Sequence, residues 1–328
     1  MAYQPASNTT STGTLAHLAT VYYNTRALDQ VRQMFRFLGV TEPDQIPMRV
    51  GKTVQWFRYA LFAANTSPTS EGLVGAGMPL TTSTVSATVS EYSDFLTISS
   101  LLEETAIDPI TQNAAEQLGY RAGLSVDTVT RNEFDVNTSA QIGTLGAAFS
   151  AADVRKAVTL LRAINVRPRD GDLMKGIIHP YVVYDLQADN TAGGFIDLMR
   201  WGQNLGGDYL KNYQESLDQG VIGAVGGCMF KASTNVTTSG TAPNVLYSTY
   251  MAGRGGVGSV DLAGRGPSRV ENPNNQSFRI NTVRGGPQIA DPEGKIGSAC
   301  SYRFVYVAKT LDSTNLRFKI VLADASLV

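Results

Sequence analysis

Apolar residues near the N-terminus of the chain recur with helical spacing. They lie three, four or seven positions apart between Val21 and Leu38, and Gly39 follows at a place where a helix can end. Positions 1–14 hold small and polar residues, and we expect them to form a flexible arm. The pattern therefore predicts an arm followed by a helix. Three arginines lie within the predicted helix: Arg26, Arg32 and Arg36.

The next apolar pattern predicts a long hairpin. Residues from Val50 to Phe62 are rich in β-branched and aromatic side chains, and alternation places apolar side chains on both faces of a strand. Glycine and proline interrupt the pattern at 63–79, and residues 84–90 alternate between apolar and polar. An isolated hairpin is marginally stable in water, so this hairpin over about 50–100 needs a partner surface. No adjacent element covers its tip, which is a first indication of a protein with several subunits.

A longer helical pattern follows the hairpin. Asp108-Pro109 suits the cap and the first position of a helix. Apolar residues three or four positions apart from Ile110 to Val129 form one stripe. The helix is predicted to end near Glu133, a length of about 37 Å at about 1.5 Å per residue. Small residues at 135–148 then predict a linker and a module boundary.

The second half of the chain mixes helical and strand patterns. Ser150 and Asp153 have the spacing of a capping box, and the helix after them is predicted to bury apolar residues from Val154 to Ile164. A strand, a short helix and a further apolar stretch are predicted at 176–179, 180–188 and 195–201. Five more strands are predicted at 227–232, 245–251, 277–283, 302–309 and 316–322. The mixture indicates an α+β fold, and 328 residues suffice for about two modules.

Composition excludes several broad classes of protein. Apolar residues make up 43% of the chain, as in globular proteins, while charged residues make up only 17%, which favours packing against other protein. The net charge of −1 gives no signature of nucleic-acid binding. There is no signal-peptide pattern and no apolar run of about 18 residues, so we expect a soluble protein, cytosolic at synthesis, with no membrane partner. Cys228 and Cys300 fit no metal spacing and are expected to be buried thiols.

A glycine-rich motif could suggest a dinucleotide site. Residues 253–258 fit the pattern G-x-G-x-x-G. Such a site needs a helix after the motif, so that the helix N-terminus meets the pyrophosphate. Residues 259–267 contain glycine and proline and cannot form that helix. We therefore interpret the motif as a glycine-rich turn.

Other candidate catalytic or metal-binding residues are isolated. The two histidines are expected to have structural or surface roles. Two neighbouring glutamates in a strand would point to opposite faces and so could not act as an acid/base pair. Two aspartates in one loop are too few for a calcium-binding loop. These residues are His17, His179, Glu103, Glu104, Asp170 and Asp172. The sequence thus predicts no enzyme, no cofactor and no metal site.

One segment resembles a known family signature. Residues 91–109 are EYSDFLTISSLLEETAIDP and resemble the signature of the phage major capsid proteins typified by podophages of the Escherichia "N-four" type. Three more segments agree in order and spacing, at 69–72, 177–186 and 290–298. The resemblance extends over about residues 20–310.

The resemblance implies the Hong Kong 97-type phage capsid fold. That fold has an N-terminal arm, an extended loop, a peripheral domain with a long spine helix, and an axial domain. The matching ranges are 1–48 for the arm, 49–107 for the extended loop hairpin and its return strand, 108–149 for the spine helix and linker, 150–265 for the axial domain, and 266–328 for the return to the peripheral domain and the C-terminal strands.

The resemblance also implies a function and partners. It implies a major capsid protein that self-assembles as hexamers and pentamers into the icosahedral head enclosing the double-stranded DNA of a tailed bacteriophage. The chain would lie in the virion, and in the host cytoplasm during assembly. Separate scaffold, portal and decoration proteins are expected partners, since no long charged scaffolding segment is present. An encapsulin-like shell around cargo is the main alternative; a hydrolase or dehydrogenase and a carbohydrate- or receptor-binding module are others.

Specific residues follow from this resemblance as hypotheses. A neighbouring subunit would cover the hairpin, with the subunit interface formed by Trp56, Phe57, Tyr59, Phe62 and Glu71. The arginine-bearing helix with Arg26, Arg32 and Arg36 is expected to face the packaged genome, with a subunit contact as the alternative. Some capsids of this fold are cross-linked through a lysine in the extended loop. This chain has no lysine between Lys52 and Lys156, so no such cross-link is expected.

Overall fold

The computed structural model describes most of the chain from residue 36 onward. The described ranges are 36–47, 49–60, 62–68, 71–72, 77–106, 110–143, 147–169, 173–189, 221–241, 244–262, 279–284 and 296–325. The predicted N-terminal arm and nearly all of the predicted helix over 21–38 lie outside these residues. The capping pair Asp108-Pro109 and the apolar stretch 195–201 also lie outside them.

Runs of strands are separated by a few helices in the described residues. The α-helices are α1 (Ser100–Thr105), α2 (Ile110–Asp135), α3 (Ala151–Ala163) and α4 (Pro180–Ala188). Short 3-10 helices lie at Phe37–Val40 and Thr138–Ala140. The strands are β1 (Glu42–Ile46), β2 (Thr53–Tyr59), β3 (Thr82–Thr88), β4 (Ser90–Ser99), β5 (Gln141–Ile142), β6 (Met174–Ile178), β7 (Val221–Val225), β8 (Cys228–Ala232), β9 (Thr238–Thr241), β10 (Asn244–Ala252), β11 (Val257–Leu262), β12 (Arg279–Arg284), β13 (Ile296–Thr310) and β14 (Phe318–Asp324).

The strands form two large sheets and one hairpin. A five-stranded sheet has the order β1-β11-β13-β12, and β4 pairs with β13 as well. A seven-stranded sheet has the order β5-β14-β10-β6-β8-β7, and β9 pairs with β10. Strands β2 and β3 pair with each other as a two-stranded sheet. This pairing confirms the predicted hairpin between Thr53 and Thr88, whereas the last part of the predicted range, 90–99, forms β4 and pairs with β13 instead.

The long helix α2 connects both large sheets. It has 26 residues, about 39 Å at about 1.5 Å per residue, and it packs against β13. The hydroxyl groups of Thr130 and Tyr306 lie 2.7 Å apart, which joins α2 to the five-stranded sheet. The Tyr250 hydroxyl donates to Asp135 Oδ1 at 2.7 Å, which joins α2 to the seven-stranded sheet. The predicted spine helix is therefore confirmed between Ile110 and Asp135.

An aromatic cluster fills the core beside this helix. Phe37, Phe134, Tyr250 and Phe318 are all fully buried, and their rings are between 4.8 and 6.2 Å apart. Phe37 lies in the short 3-10 helix before β1, so the start of the described chain is fixed in the core.

The capping box at Ser150 is present as predicted. The Ser150 side chain accepts from the backbone N–H of Asp153, and the Asp153 carboxylate accepts from the backbone N–H of Ser150. The apolar face of α3 is buried from Val154 to Leu161, but the prediction for Ile164 was wrong, because Ile164 caps the helix and is 38% exposed. The predicted helix at 180–188 is confirmed as α4.

One local expectation needs correction. Glu103 and Glu104 lie in α1 and not in a strand, because Ser99 caps this helix by accepting the backbone N–H of Leu102 at 3.3 Å. The sheets also cross the predicted boundary at 265: β11 belongs to the five-stranded sheet, and β14 belongs to the seven-stranded sheet. The division into domains itself stays a prediction.

Candidate subunit interface

The β2–β3 hairpin has two different faces. Its register runs from Thr53 opposite Thr88 to Tyr59 opposite Thr82. Side chains alternate along β2, and those of Val54, Trp56 and Arg58 are half-buried. Those of Phe57 and Tyr59 point to the other face and are 65% and 60% exposed. One face of the hairpin therefore contacts its own chain, while the other presents aromatic rings to solvent.

Trp56 packs against the five-stranded sheet of the same chain. Gly258 in β11 lies under the indole ring, so closely that a Cβ atom there would be 3.1 Å from Trp56 Cζ2 and 2.8 Å from Leu311 Cδ2. Glycine is thus the residue that lets the hairpin approach this strand. Trp56 has a contact within the subunit in addition to its predicted role between subunits.

An ion pair holds β2 near the end of the hairpin where the connecting loop begins. The Arg58 guanidinium pairs with Asp312, whose side chain is 3% exposed. Asp312 also accepts from the backbone N–H groups of Thr314 at 3.2 Å and Asn315 at 2.9 Å, and Arg317 Nε lies 3.4 Å from it. A buried carboxylate needs such partners, because an unpaired one is costly. The loop between β13 and β14 therefore fixes the position of β2.

The outer part of the hairpin exposes more apolar surface. Phe62 is 53% exposed, Met78 64% and Leu80 59%. Glu71 is also exposed in this part of the chain. Contiguous exposed apolar surface is uncommon on monomeric proteins and typically indicates an interaction site. The sequence had identified Phe57, Tyr59 and Phe62 as candidates, and the structure leaves all three uncovered.

Four further apolar side chains are exposed along β4 and α1. They are Phe95 (71% exposed) and Leu96 (41%) in β4, whose side chains point to opposite faces of the strand, and Leu101 (70%) and Leu102 (48%) in α1; we call them the β4–α1 patch. Strand β4 pairs with β13 along one edge, and within the described residues no strand pairs with its other edge. Sequence analysis had used this segment for its family resemblance without proposing these residues as a site. The signal was present as apolar pairs at 95–96 and 101–102 within a polar stretch.

Of the three candidate genome-facing arginines, the structure describes one. Arg26 and Arg32 lie outside the described residues. Arg36 is half-buried, and its backbone N–H donates to Asp127 Oδ1 at 2.9 Å. The role of the three arginines therefore stays a prediction.

The residues considered for catalysis have structural roles where they are described. His179 caps α4, its ring stacks on Tyr247 with centroids 4.5 Å apart, and burial lowers the pKa of its imidazole. The glycine motif at 253–258 is a turn from β10 into β11, as predicted. His17, Asp170 and Asp172 lie outside the described residues.

The described part of the chain contains no candidate metal site, and both of its cysteines are buried. No group of three His, Cys, Asp or Glu side chains there could hold a metal ion. Cys228 and Cys300 are buried free thiols, and burial raises the pKa of Cys228. Among the described helices, none combines the length and the apolar character that a membrane crossing requires.

Several solved structures share this fold over nearly the whole chain. A chain in the capsid structure of the cyanophage P-SCSP1u is 14% identical, covers 99% of this chain and is itself 99% covered, with a TM-score of 0.66. A chain in the capsid of Ralstonia phage GP4 is 9% identical, with 94% and 96% covered and a TM-score of 0.68. A chain in the head structure of Helicobacter pylori bacteriophage KHP40 is 11% identical, with 99% and 100% covered and a TM-score of 0.66.

The likeness identifies the fold. The chain has the Hong Kong 97-type phage capsid fold, and the predicted α+β class is confirmed. No family model matches the sequence, and no curated protein matches it either.

Proposed function

We propose that this chain is the major capsid protein of a tailed bacteriophage. Copies of it assemble as hexamers and pentamers into an icosahedral head that encloses double-stranded DNA. The observation that carries the proposal is the match in fold to phage capsid chains over 94–99% of the chain. The role is structural and not enzymatic, and the chain resides in the virion after assembly in the host cytoplasm.

The exposed face of the hairpin supports assembly with a neighbouring copy. Phe57 and Tyr59 leave most of their ring surface in water. Covering about 200 Å² of this apolar surface would contribute about 5 kcal/mol before the costs of ordering are subtracted. A contact of this size is weak alone, but a closed shell repeats it at every subunit. Phe62 and Glu71 extend the same proposed interface, and Trp56 helps to fix its position.

The β4–α1 patch supports a second contact between copies. A free strand edge with exposed apolar side chains invites pairing with other chains, and stable proteins usually cover such edges. Phe95 and Leu101 are the most exposed members of the patch. In an assembled shell, a neighbouring subunit would cover both the patch and the edge of β4.

Further partners belong to the assembly of the head. We propose a separate scaffold protein during assembly, a portal at one vertex and decoration proteins on the shell. The packaged DNA is contacted without regard to sequence, because phosphate contacts carry no sequence information. No observation favours the encapsulin-like alternative, since each solved structure compared above belongs to a phage capsid or head.

Electron microscopy tests the proposal directly. The purified chain should be examined by negative staining and light scattering, alone and with the scaffold protein of the same phage. We expect closed shells, or hexamers and pentamers that close when scaffold is added. A monomer that never assembles under either condition would overturn the proposal and reopen the binding-module and enzyme alternatives.

A further inference from the structure

A group of exposed cations lies on and beside α3. Arg155, Lys156 and Arg162 lie on the helix, Arg167 follows its C-terminus, and Arg254 lies beside Arg167, to whose carbonyl its backbone N–H donates at 2.9 Å. All five side chains are exposed. We call these five residues the α3 basic surface. They are concentrated on one element of a chain whose net charge is only −1.

These cations lack acidic partners among the described residues. No carboxylate there lies within ion-pair distance of any of the five, although other cations such as Arg121 and Lys309 have such partners. The acidic residue of α3 itself, Asp153, is engaged in the capping box with Ser150. The positive charge of this surface is therefore not neutralised by the described parts of its own chain.

The fold holds two of the arginines against a rigid turn. The Gly226–Gly227 turn before β8 approaches α3 so closely that a Cβ atom at Gly226 would lie 3.2 Å from Arg155 Cγ. A Cβ atom at Gly227 would lie 3.4 Å from an Arg162 guanidinium nitrogen. Arg155 and Arg162 are seven residues apart, about 10 Å along the helix axis. The aliphatic stem of Arg155 and the guanidinium group of Arg162 thus lie against the same turn.

The chemistry of this surface fits phosphate better than protein. Protein interfaces are enriched in aromatic residues as well as in arginine, and lysine is depleted there. The exposed face of α3 has no aromatic residue, and its apolar members Leu160 and Ile164 are each only 38% exposed. Guanidinium and ammonium groups without acidic partners match the phosphate backbone of a nucleic acid, which they bind without sequence preference.

We infer that the α3 basic surface binds the phosphate backbone of the packaged double-stranded DNA. The inference rests on the proposed capsid function and names the part of the subunit that faces the genome. It assigns this role to residues distinct from Arg26, Arg32 and Arg36. It also implies that α3 lies on the inner side of the shell.

A salt titration of DNA binding tests this inference. The probe is a labelled DNA duplex of arbitrary sequence, and its affinity for unassembled subunits is measured from about 50 mM to about 200 mM salt. The variant Arg155→Gln/Lys156→Gln/Arg162→Gln should reduce the slope of log K against log salt. Three lost contacts at about 0.9 each amount to about 2.7 units of slope. A wild-type subunit that does not bind the duplex at the lowest salt would overturn the inference.

A matched triple variant controls for the change in net charge. Arg121→Gln/Arg303→Gln/Lys309→Gln removes the same three charges from cations that are paired with Asp94, Glu91 and Glu133. We expect its slope to equal that of the wild type. An unchanged slope in the α3 variant, or an equal loss in both variants, would overturn the inference.

Shell formation separates this inference from the proposed function. The α3 variant should form shells at the wild-type yield when viewed by microscopy. If it binds DNA normally but fails to assemble, the surface contacts protein, either a second copy or an acidic scaffold, and the inference is wrong. If the wild-type chain forms no shells at all, the capsid proposal itself fails, and this is seen without any DNA measurement.

Discussion

At the scale of single residues, a buried carboxylate joins three parts of the chain. Asp127 Oδ1 accepts the backbone N–H groups of Arg36 at 2.9 Å and Phe37 at 2.8 Å, and Oδ2 accepts from Asn235 Nδ2 at 3.2 Å. Burial raises the pKa of Asp127 above its ordinary value of 3.8, although these hydrogen bonds and the charge of Arg131 act to lower it. The anchoring of the N-terminal segment on α2 therefore depends on a carboxylate that is costly to ionise.

Because the Asp127 carboxyl group is costly to ionise in the folded chain, we expect the stability of the fold to depend on pH. Because the pKa of Asp127 is higher in the folded chain than in the unfolded one, its contribution is fully present below pH 3.8 and is lost as the pH rises through the folded pKa. Asp127→Asn keeps an acceptor oxygen for the two backbone N–H groups but does not titrate. We expect the free energy of unfolding of the wild type to fall relative to this variant as the pH rises through that window.

Urea unfolding of the unassembled subunit from about pH 3.5 to about pH 8 measures this difference. Asp44→Asn, which changes an exposed aspartate in β1, is the control and should follow the wild type. A difference between wild type and Asp127→Asn that does not vary with pH would contradict the prediction.

The exposed rings of the hairpin allow assembly to be separated from folding. Phe57→Ser/Tyr59→Ser removes apolar surface that already lies in water in the single chain, so the free energy of unfolding should change by no more than about 0.5 kcal/mol per site. Shell yield should fall strongly, because the proposed interface loses its central side chains. Tyr184→Ser, at an aromatic residue of α4 that is 53% exposed, is the matched control. Normal shells from the double variant would remove this interface from the proposal.

Trp56 contributes to folding within its own subunit and, by the proposal, to the interface between subunits. Trp56→Ala removes the ring that packs over Gly258, so we expect some loss of stability in the unassembled subunit. We still expect the loss of shell yield to be the larger effect, because a hairpin in the wrong position cannot present Phe57 and Tyr59. Thermal unfolding of the subunit and particle counts by microscopy measure the two effects. An unchanged shell yield would contradict the prediction.

At the scale of elements, the ion pair near the loop end of the hairpin controls how firmly β2 is held. Asp312→Asn removes the charge that Arg58 and Arg317 share, while the backbone N–H groups of Thr314 and Asn315 keep an acceptor. A hydrogen bond to a charged group contributes about 1.5–3 kcal/mol. Because the Arg58–Asp312 pair is partly exposed, we expect the free energy of unfolding to fall by about 1.5 kcal/mol or less.

Hydrogen exchange distinguishes a local effect from a global one. Backbone amides of β2 should exchange faster in Asp312→Asn, while those of β10 in the seven-stranded sheet should be little changed. Glu91→Gln breaks an exposed pair with Arg303 on β13 and serves as the control. Equal acceleration in β2 and β10 would indicate that Asp312 supports the whole fold and not the hairpin.

The hairpin and α2 could be predicted because their patterns are local. Alternation along β2 and the stripe along α2 are visible within short windows of sequence. Strand β1 has the sequence EPDQI, with little strand preference, and it forms because it pairs in parallel with β11. The contact between Arg58 and Asp312 joins positions 254 apart, and no local pattern indicates it. The aromatic residues of the proposed interface could therefore be named from the sequence, while the Arg58–Asp312 ion pair that holds β2 could not.

At the scale of the whole molecule, α2 ties the two sheets into one body. Its hydroxyl and carboxylate contacts reach Tyr306 in one sheet and Tyr250 in the other. Strand β14 pairs with β10 over seven residues after the chain has already completed β13 in the other sheet. Subunits built in this way associate through their surfaces while the body stays intact, as repeated weak contacts in a shell require.

We expect the subunits of the proposed shell to be held together without covalent bonds. The segment between Lys52 and Lys156 contains both hairpin strands and has no lysine, so within 49–107 the one amine is that of Lys52, just before β2, and none lies further out along the hairpin. Cys228 and Cys300 are buried free thiols, so disulfides between subunits are not expected either. Purified shells boiled in denaturant should therefore run on a gel as a single band at the mass of one chain, with or without reductant. A ladder of higher masses that persists in reductant would show a covalent bond of another kind, whereas a ladder that reductant removes would show that the cysteines become accessible during assembly.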